Sequence, residues 1–506
     1  MRKTLSLCVV ALFFSSCTPS PSGRTTNKAA EEANTQGLTA LKNNDINSSI
    51  MHFTKAIELD PKFANAYSQR GGVHMELKAY SEAIADYTKV IELNPKDSNA
   101  LNSRGSAHVK LKKYPEAIAD YTKVIELNPK DSSAFISRGN ANVKSKKYSK
   151  AITDFNVAIG LEPKNFTAFT NRGDAYNGLE KASEAIADFN KAIELNPNYE
   201  KAYHGRGIAY FGSNETPKGF ADLNKAIELD PKYLEAYLTR GRAHNYFKLE
   251  KSLNSLEDFN KAIELDFKYS EAYFLRGYLY EDLKKYPEAI ADYTKAIELD
   301  PKEAYYYSGR ARVYKDLKNY PKAIDDYTKA IELDPEPARY YSSRGDLYKD
   351  LKDYPEAIAD YTKVIELDPK PAYHYYKRGD LYEDLKKYPE AIADYTKAIE
   401  LDPKPAYYYS RRASLYKDLK NYTKAIDDYT KVIELEPKKG SSYYFRGRAY
   451  EAFGKTKEAE ADYDISDTLP DPGPPRVRRQ PSKNLEKKEE PRELKKEDKK
   501  EVPRSP

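Results

Sequence analysis

Residues 387–403 read KYPEAIADYTKAIELDP, and the same letters stand at 285–301, with close variants at 113–129 and 353–369. Within the stretch, Ala391, Tyr395 and Ala398 recur at i, i+4 and i+7, with Ile392 and Ile399 beside them. That spacing places one apolar stripe along a helix. Pro389 falls just inside the start, where a helix has no partner for a backbone N–H and loses nothing to proline. Asp402-Pro403 closes the segment, because a residue before proline is pushed out of the helical region.

Outward from this stretch, prolines recur at 61, 95, 129, 163, 197 and 231, then at 301, 335, 369, 403 and 437, in steps of 34 residues. Between the two runs Phe267 takes the proline position after a step of 36. With a divergent first unit near 28–60 and a last one at 437–470, the chain holds 13 units. Residues 285–334 nearly match 387–436, an offset of three units that reads as a block duplication.

Each unit carries a second helical pattern upstream, an aromatic or Leu four residues before a small residue, as in Tyr67/Gly71, Tyr203/Gly207 and Tyr375/Gly379. Glycine inside a helix costs about 1 kcal/mol against alanine, so its recurrence predicts close approach of the paired helix. Only Ala311 and Ala413 mildly enlarge that position. In twelve units an Arg precedes the small residue and an Asp follows sixteen residues later, or eighteen in the enlarged unit, from Arg70/Asp86 to Arg446/Asp462. The first unit lacks both, having Gln36 and His52. Shared presence and absence predict an ion pair joining the two helices of a unit, with the Arg stem lying on apolar surface.

These residues resemble the tetratricopeptide repeat family: aromatic, Gly, then Tyr in the first helix, and Ala, aromatic, Ala and Pro in the second and its turn. The resemblance spans roughly 28–470 and implies an all-α, right-handed superhelical solenoid of about 13 helix pairs, with a concave groove lined by the first helices. Two departures stand out: the chain has no Trp, and Arg stands before the small residue where many relatives have Leu.

Composition narrows the function. The formal charge is +5, of which residues 471–506 carry +4 and residues 4–470 only −1. Such a balanced body lacks the one-signed field that phosphate backbones require, so no nucleic-acid partner is expected. Both cysteines, Cys8 and Cys17, lie at the N-terminus, leaving no thiolate metal site or disulfide framework for the body. His74, His108 and His244 occupy positions where other units carry Tyr, as packing substitutes. No HExxH, glycine-rich phosphate loop or GxSxG elbow occurs, so neither an enzyme, a cofactor, a metal nor a small-molecule substrate is expected.

Arg2 and Lys3, the apolar run Leu5–Phe14 and the small Ser15 and Ser16 read as an export signal, residues 1–17. Phe14-Ser15-Ser16-Cys17 resembles the bacterial lipobox, which implies lipidation of Cys17 as the first mature residue. Residues 18–27 then form a tether, and residues 471–506, rich in Pro, Lys and Glu, a tail too polar to build a core. The expected home is the bacterial cell envelope, lipid-anchored, in the outer membrane rather than the inner.

Along the expected groove, the residue two before each first-helix aromatic varies while the scaffold repeats. It runs Asn65, Asn99, Ser133, Thr167, Lys201, Glu235, Glu271, Tyr305, Arg339, Tyr373 and Tyr407. A companion row after the small residue includes Arg312, Asp346, Asp380 and Ser414. Tyr and Arg dominate interface hot spots, which selects Tyr305, Arg312, Arg339, Tyr373 and Tyr407, with Asp346 and Asp380 of the companion row beside them, as candidate partner-binding residues. Some tetratricopeptide co-chaperones clamp a terminal carboxylate; Asn140, Asn171 and Lys201 match that clamp, but Ile136 and Gly205 stand where its other Lys and its Arg would be. The expectation is a membrane-tethered scaffold that binds proteins or extended peptides during envelope assembly or secretion. A surface-exposed host-binding protein and a purely structural spacer are the alternatives.

Overall fold

The computed structural model describes residues 27–247 and 252–471. Cys8, Cys17, nearly all of the tether and the tail from Pro472 onward lie outside the described residues. Among the described residues every regular element is a helix, and the 26 helices form thirteen antiparallel pairs, a leading helix of mostly 13 residues and a trailing helix of mostly 14. None of them is long and apolar enough to cross a membrane.

The chain divides into two compact units between Pro301 and Lys302. The first holds eight pairs, from Lys28–Lys42 with Ile46–Leu59 to Ser270–Asp282 with Tyr286–Leu299. The second holds five, from Ala304–Asp316 with Tyr320–Leu333 to Gly440–Ala452 with Thr456–Thr468. Within each unit a trailing helix packs on its own leading helix and on the leading helix of the next pair.

The sequence explains both turns. Between leading and trailing helix the chain enters the left-handed region, at a lysine in most pairs, as at Lys352 with φ 60°, and at Asn44, Glu180 and Asn214 in others. Lys352 N–H then donates to Lys349 and Asp353 N–H to Tyr348, both at 2.9 Å, satisfying carbonyls at the helix end. The last pair uses Gly454 at φ 82° for the same turn. Before several leading helices an Asp or Asn caps the start; the Asp97 carboxylate accepts from Ala100 N–H at 2.9 Å.

The trailing stripe is the core: Ala391, Tyr395 and Ala398 are fully buried, as are Ala357 and Tyr361. Glycines let this stripe seat. A Cβ on Gly139 would stand 2.6 Å from the Phe155 ring, and one on Gly241 2.7 Å from Phe259. At Gly345 the nearest atom would be the Asp360 Cβ at 3.3 Å, so helix contact there is looser.

All twelve Arg–Asp pairs form. In the pair of Arg344, Nε and Nη2 donate to the two oxygens of Asp360 at 2.9 and 2.7 Å. The third donor does something the spacing did not disclose: Arg344 Nη1 reaches Thr328 Oγ1, at 2.7 Å, on the trailing helix of the preceding pair. The same bond recurs from Arg70 to Thr54, Arg172 to Asn156 and Arg446 to Thr430. Each such guanidinium therefore fastens three helices.

Candidate interaction groove

The leading helices expose the varied rows. In the second unit, Tyr373 and Tyr407 are 49% and 45% exposed, and Arg339 is exposed too, whereas Tyr305 is half-buried against Tyr306, ring centroids 4.5 Å apart. Arg339 bonds Asp334 at 3.1 Å and lies over the Tyr340 ring at 4.4 Å. Arg312 is partly exposed.

Tyr373 and Tyr407 converge on Tyr376. Its ring lies 6.3 Å from Tyr373, stacked, and 4.9 Å from Tyr407, edge-on. Tyr408 and Tyr395 close the cluster at 5.4 and 5.8 Å from Tyr376. The i, i+3 spacing of Tyr373 and Tyr376 on one helix face, matched by Tyr407 on the next leading helix, builds an aromatic floor from residues far apart in sequence.

Asp346 and Asp380 meet partners within the array. Asp346 accepts from the Tyr361 hydroxyl and pairs with Lys377. Asp380 pairs with Lys349 and, at 3.4 Å, with Arg411, which also reaches Glu383 at 3.5 Å. These ion pairs cross between neighbouring leading helices. Tyrosines of the trailing stripe rise into the same layer: the Tyr395 hydroxyl donates to Glu383 at 2.7 Å and Tyr463 to Glu451 at 2.9 Å. Burial, reinforced by the neighbouring carboxylate, pushes the Tyr361 and Tyr395 phenols well above their ordinary range, so both stay protonated donors. The spacing of these tyrosines announced burial but not where their hydroxyls end.

In the first unit the row is more polar and again networked. His204 Nε2 meets Thr239 Oγ1 at 2.8 Å and Nδ1 meets the Tyr233 hydroxyl at 3.2 Å. Burial, aided by Arg242, brings this imidazole down to about 4, so it is neutral at pH 7. Glu271 pairs with Arg242 and accepts from Tyr269 at 3.3 Å. His74 and His108 pack beside Asp86 and Asp120 at 3.8 and 3.9 Å, and His244 stacks on Phe220 at 4.4 Å, as packing residues should.

Among the described residues no three His, Cys, Asp or Glu side chains converge as a metal site. The groove offers aromatic faces, hydroxyl donors and paired charges, which is the chemistry of reversible recognition.

Sequence profiles described as Tetratricopeptide repeat match residues 64–97, 98–131, 270–303, 304–337, 372–405, 406–439 and, by a second profile, 34–63. A further profile described as TPR repeat matches 173–214 and 345–386. No curated protein matches the chain. Among solved structures, a tetratricopeptide repeat protein from Parabacteroides merdae is 20% identical over 50% of this chain and 99% of its own, with a TM-score of 0.46. Yeast Tom70 is 20% identical over 87% of this chain and 97% of its own, TM-score 0.38. YrrB, a TPR protein described as having an unusual peptide-binding site, is 24% identical over 37% of this chain and 97% of its own, TM-score 0.31. None of these likenesses bears on what this chain binds.

Proposed function

This chain is a tetratricopeptide repeat protein, and from that premise we propose that it is an adaptor of the bacterial envelope, lipid-anchored through Cys17, that collects partner proteins in the groove of its leading helices. The observation that carries the binding role is the cluster of Tyr373, Tyr376 and Tyr407, two of whose rings stay half-exposed on a face that needs neither for its own core. Tyr373, Tyr407 and Arg339 with Tyr305 form the recognition row, Arg312 extends it, and Asp346 and Asp380 hold the cations that frame it. Partners are proteins or extended peptides taken up during assembly or secretion. The tether rests on the lipobox-like residues, and the outer membrane is its site.

The test is crosslinking in living cells, followed by identification of what co-purifies with the intact chain and with the variant carrying Tyr305→Ala, Arg339→Ala, Tyr373→Ala and Tyr407→Ala. Hot-spot truncations cost roughly 2 kcal/mol or more each, so capture should fall at least tenfold. Undiminished capture by a variant with a normal melting curve would move the binding site elsewhere. Mass spectrometry of the native protein should find a lipid-modified Cys17 at the mature N-terminus, and an unmodified start elsewhere would end the anchoring proposal.

A further inference from the structure

The recognition row does not stop at Tyr407. Its next position, one repeat on, is Ser441 at the start of the last leading helix. There the chain meets itself: Gly440 N–H donates to the Pro470 carbonyl at 2.9 Å and Ser441 N–H to that of Asp471 at 2.5 Å, while the Ser441 hydroxyl bonds the Asp471 carboxylate at 2.9 Å. The backbone leaving the last trailing helix is thus pinned at the end of the row, beside the helix that follows Tyr407 in register.

What comes after Asp471 is Pro472-Gly473-Pro474-Pro475-Arg476-Val477-Arg478-Arg479-Gln480-Pro481. Proline-rich segments favour the extended left-handed helix, which advances about 3.1 Å per residue and docks on exposed aromatic rings at little entropic cost. Packed helices lie about 8–10 Å apart. Four residues, about 12 Å of extended chain, bring Pro474 and Pro475 level with Tyr407. Seven or eight bring Arg478 and Arg479 level with Tyr373. On that face Tyr373 and Tyr376 stand at i and i+3, and the acids Asp380 and Glu383 farther along the helix are met by Lys349 and Arg411 of the neighbouring leading helices. The prolines complement the exposed rings of Tyr373 and Tyr407.

We infer that the segment 472–479 of this chain is the resident occupant of the Tyr373–Tyr376–Tyr407 face, so that an outside partner must displace it. The inference rests on the reading of this face as a binding surface, but it is tested in the purified chain alone, so failure to find a partner and failure to find the tail are separate results.

The experiment places the photo-crosslinking residue p-benzoylphenylalanine at Tyr407 in the full chain and mixes unlabelled with ¹⁵N-labelled protein before irradiation. The expected product is a crosslink to residues 472–479 within one isotopic species. A companion chain with Pro472, Pro474, Pro475, Arg476, Arg478 and Arg479 all changed to Ser should lose that product at least tenfold and keep its melting curve. Crosslinks confined to the helical array, products that join the two isotopic species and so mark a second copy, or an undiminished crosslink in the serine variant would each overturn the inference.

Discussion

Consider removing the guanidinium that fastens three helices, through Arg344→Met. Asp360 is 3% exposed and accepts two bonds from Arg344, whose own side chain is 16% exposed. With methionine in place the packing volume is largely kept, but a carboxylate is left buried without its cation. Breaking a buried pair from one side costs about 3–5 kcal/mol, and the lost bond to Thr328 adds about 1 kcal/mol. Because Arg344 retains some contact with solvent, the lower end applies to the pair, and with the Thr328 bond the loss is about 4 kcal/mol in all. The double variant Arg344→Met/Asp360→Asn leaves no buried charge and should recover at least about 1 kcal/mol of that loss, the signature of direct coupling. Urea unfolding measures the sums, and hydrogen exchange locates them: protection should fall first in Tyr320–Leu333, Ala338–Asp350 and Tyr354–Leu367, the three helices that share the side chain. A single variant within 0.5 kcal/mol of the parent, or a double variant as unstable as the sum of its parts, would refute the claim that this pair holds the joint.

Other outcomes follow from the same structure. Gly139→Ala should destabilise by about 1–3 kcal/mol by driving a methyl into Phe155, while Gly345→Ala should stay within about 1 kcal/mol and Gly345→Leu lose about 1–3 kcal/mol, all read by thermal melts. Lys352→Gly, at φ 60°, should be neutral or stabilising by up to about 1 kcal/mol in chemical unfolding, whereas Lys352→Val should destabilise. His204 has its pKa brought down from 6.5 to about 4 in the folded chain, so the unfolded chain binds its proton first; stability is full above pH 6.5 and declines until about pH 4. By that linkage the imidazole removes about 2 kcal/mol at pH 5, and His204→Gln should flatten this part of the stability profile; an unchanged profile would mean the ring is not buried neutral.

The repeat length, both helices of each pair and the Arg–Asp pairing were legible because they recur in register, and recurrence turns a weak local pattern into a strong one. Ala391, Tyr395 and Ala398 mark their own burial by spacing alone. The Arg–Thr bond was not legible, because Thr328 looks like any polar residue on a trailing helix until Arg344 is placed beside it. Nor were the hydroxyl bonds of Tyr395 and Tyr463, since a stripe of aromatics says which side is buried and not how far a phenol reaches. The candidate row was found as a variable column in a constant frame. The ion pairs that tie Asp346 and Asp380 to Lys377, Lys349 and Arg411 depend on distances between neighbouring helices, which no spacing within one helix reports.

The joint between successive pairs also bears on how such a chain can change length. Wherever the Arg bond to the preceding trailing helix is seen, its acceptor is a Thr or Asn sixteen residues back, so one pair presents to the next a fitting of a single gauge. A stretch of DNA encoding whole units can then be copied into the gene without any new interface having to evolve at the seams. The near identity of 285–334 and 387–436 is what such an insertion leaves behind. Lengthening or shortening by whole units is therefore mechanically cheap for this protein, while an insertion of any other length must be absorbed inside a single unit, as the step of 36 residues that ends at Phe267 was.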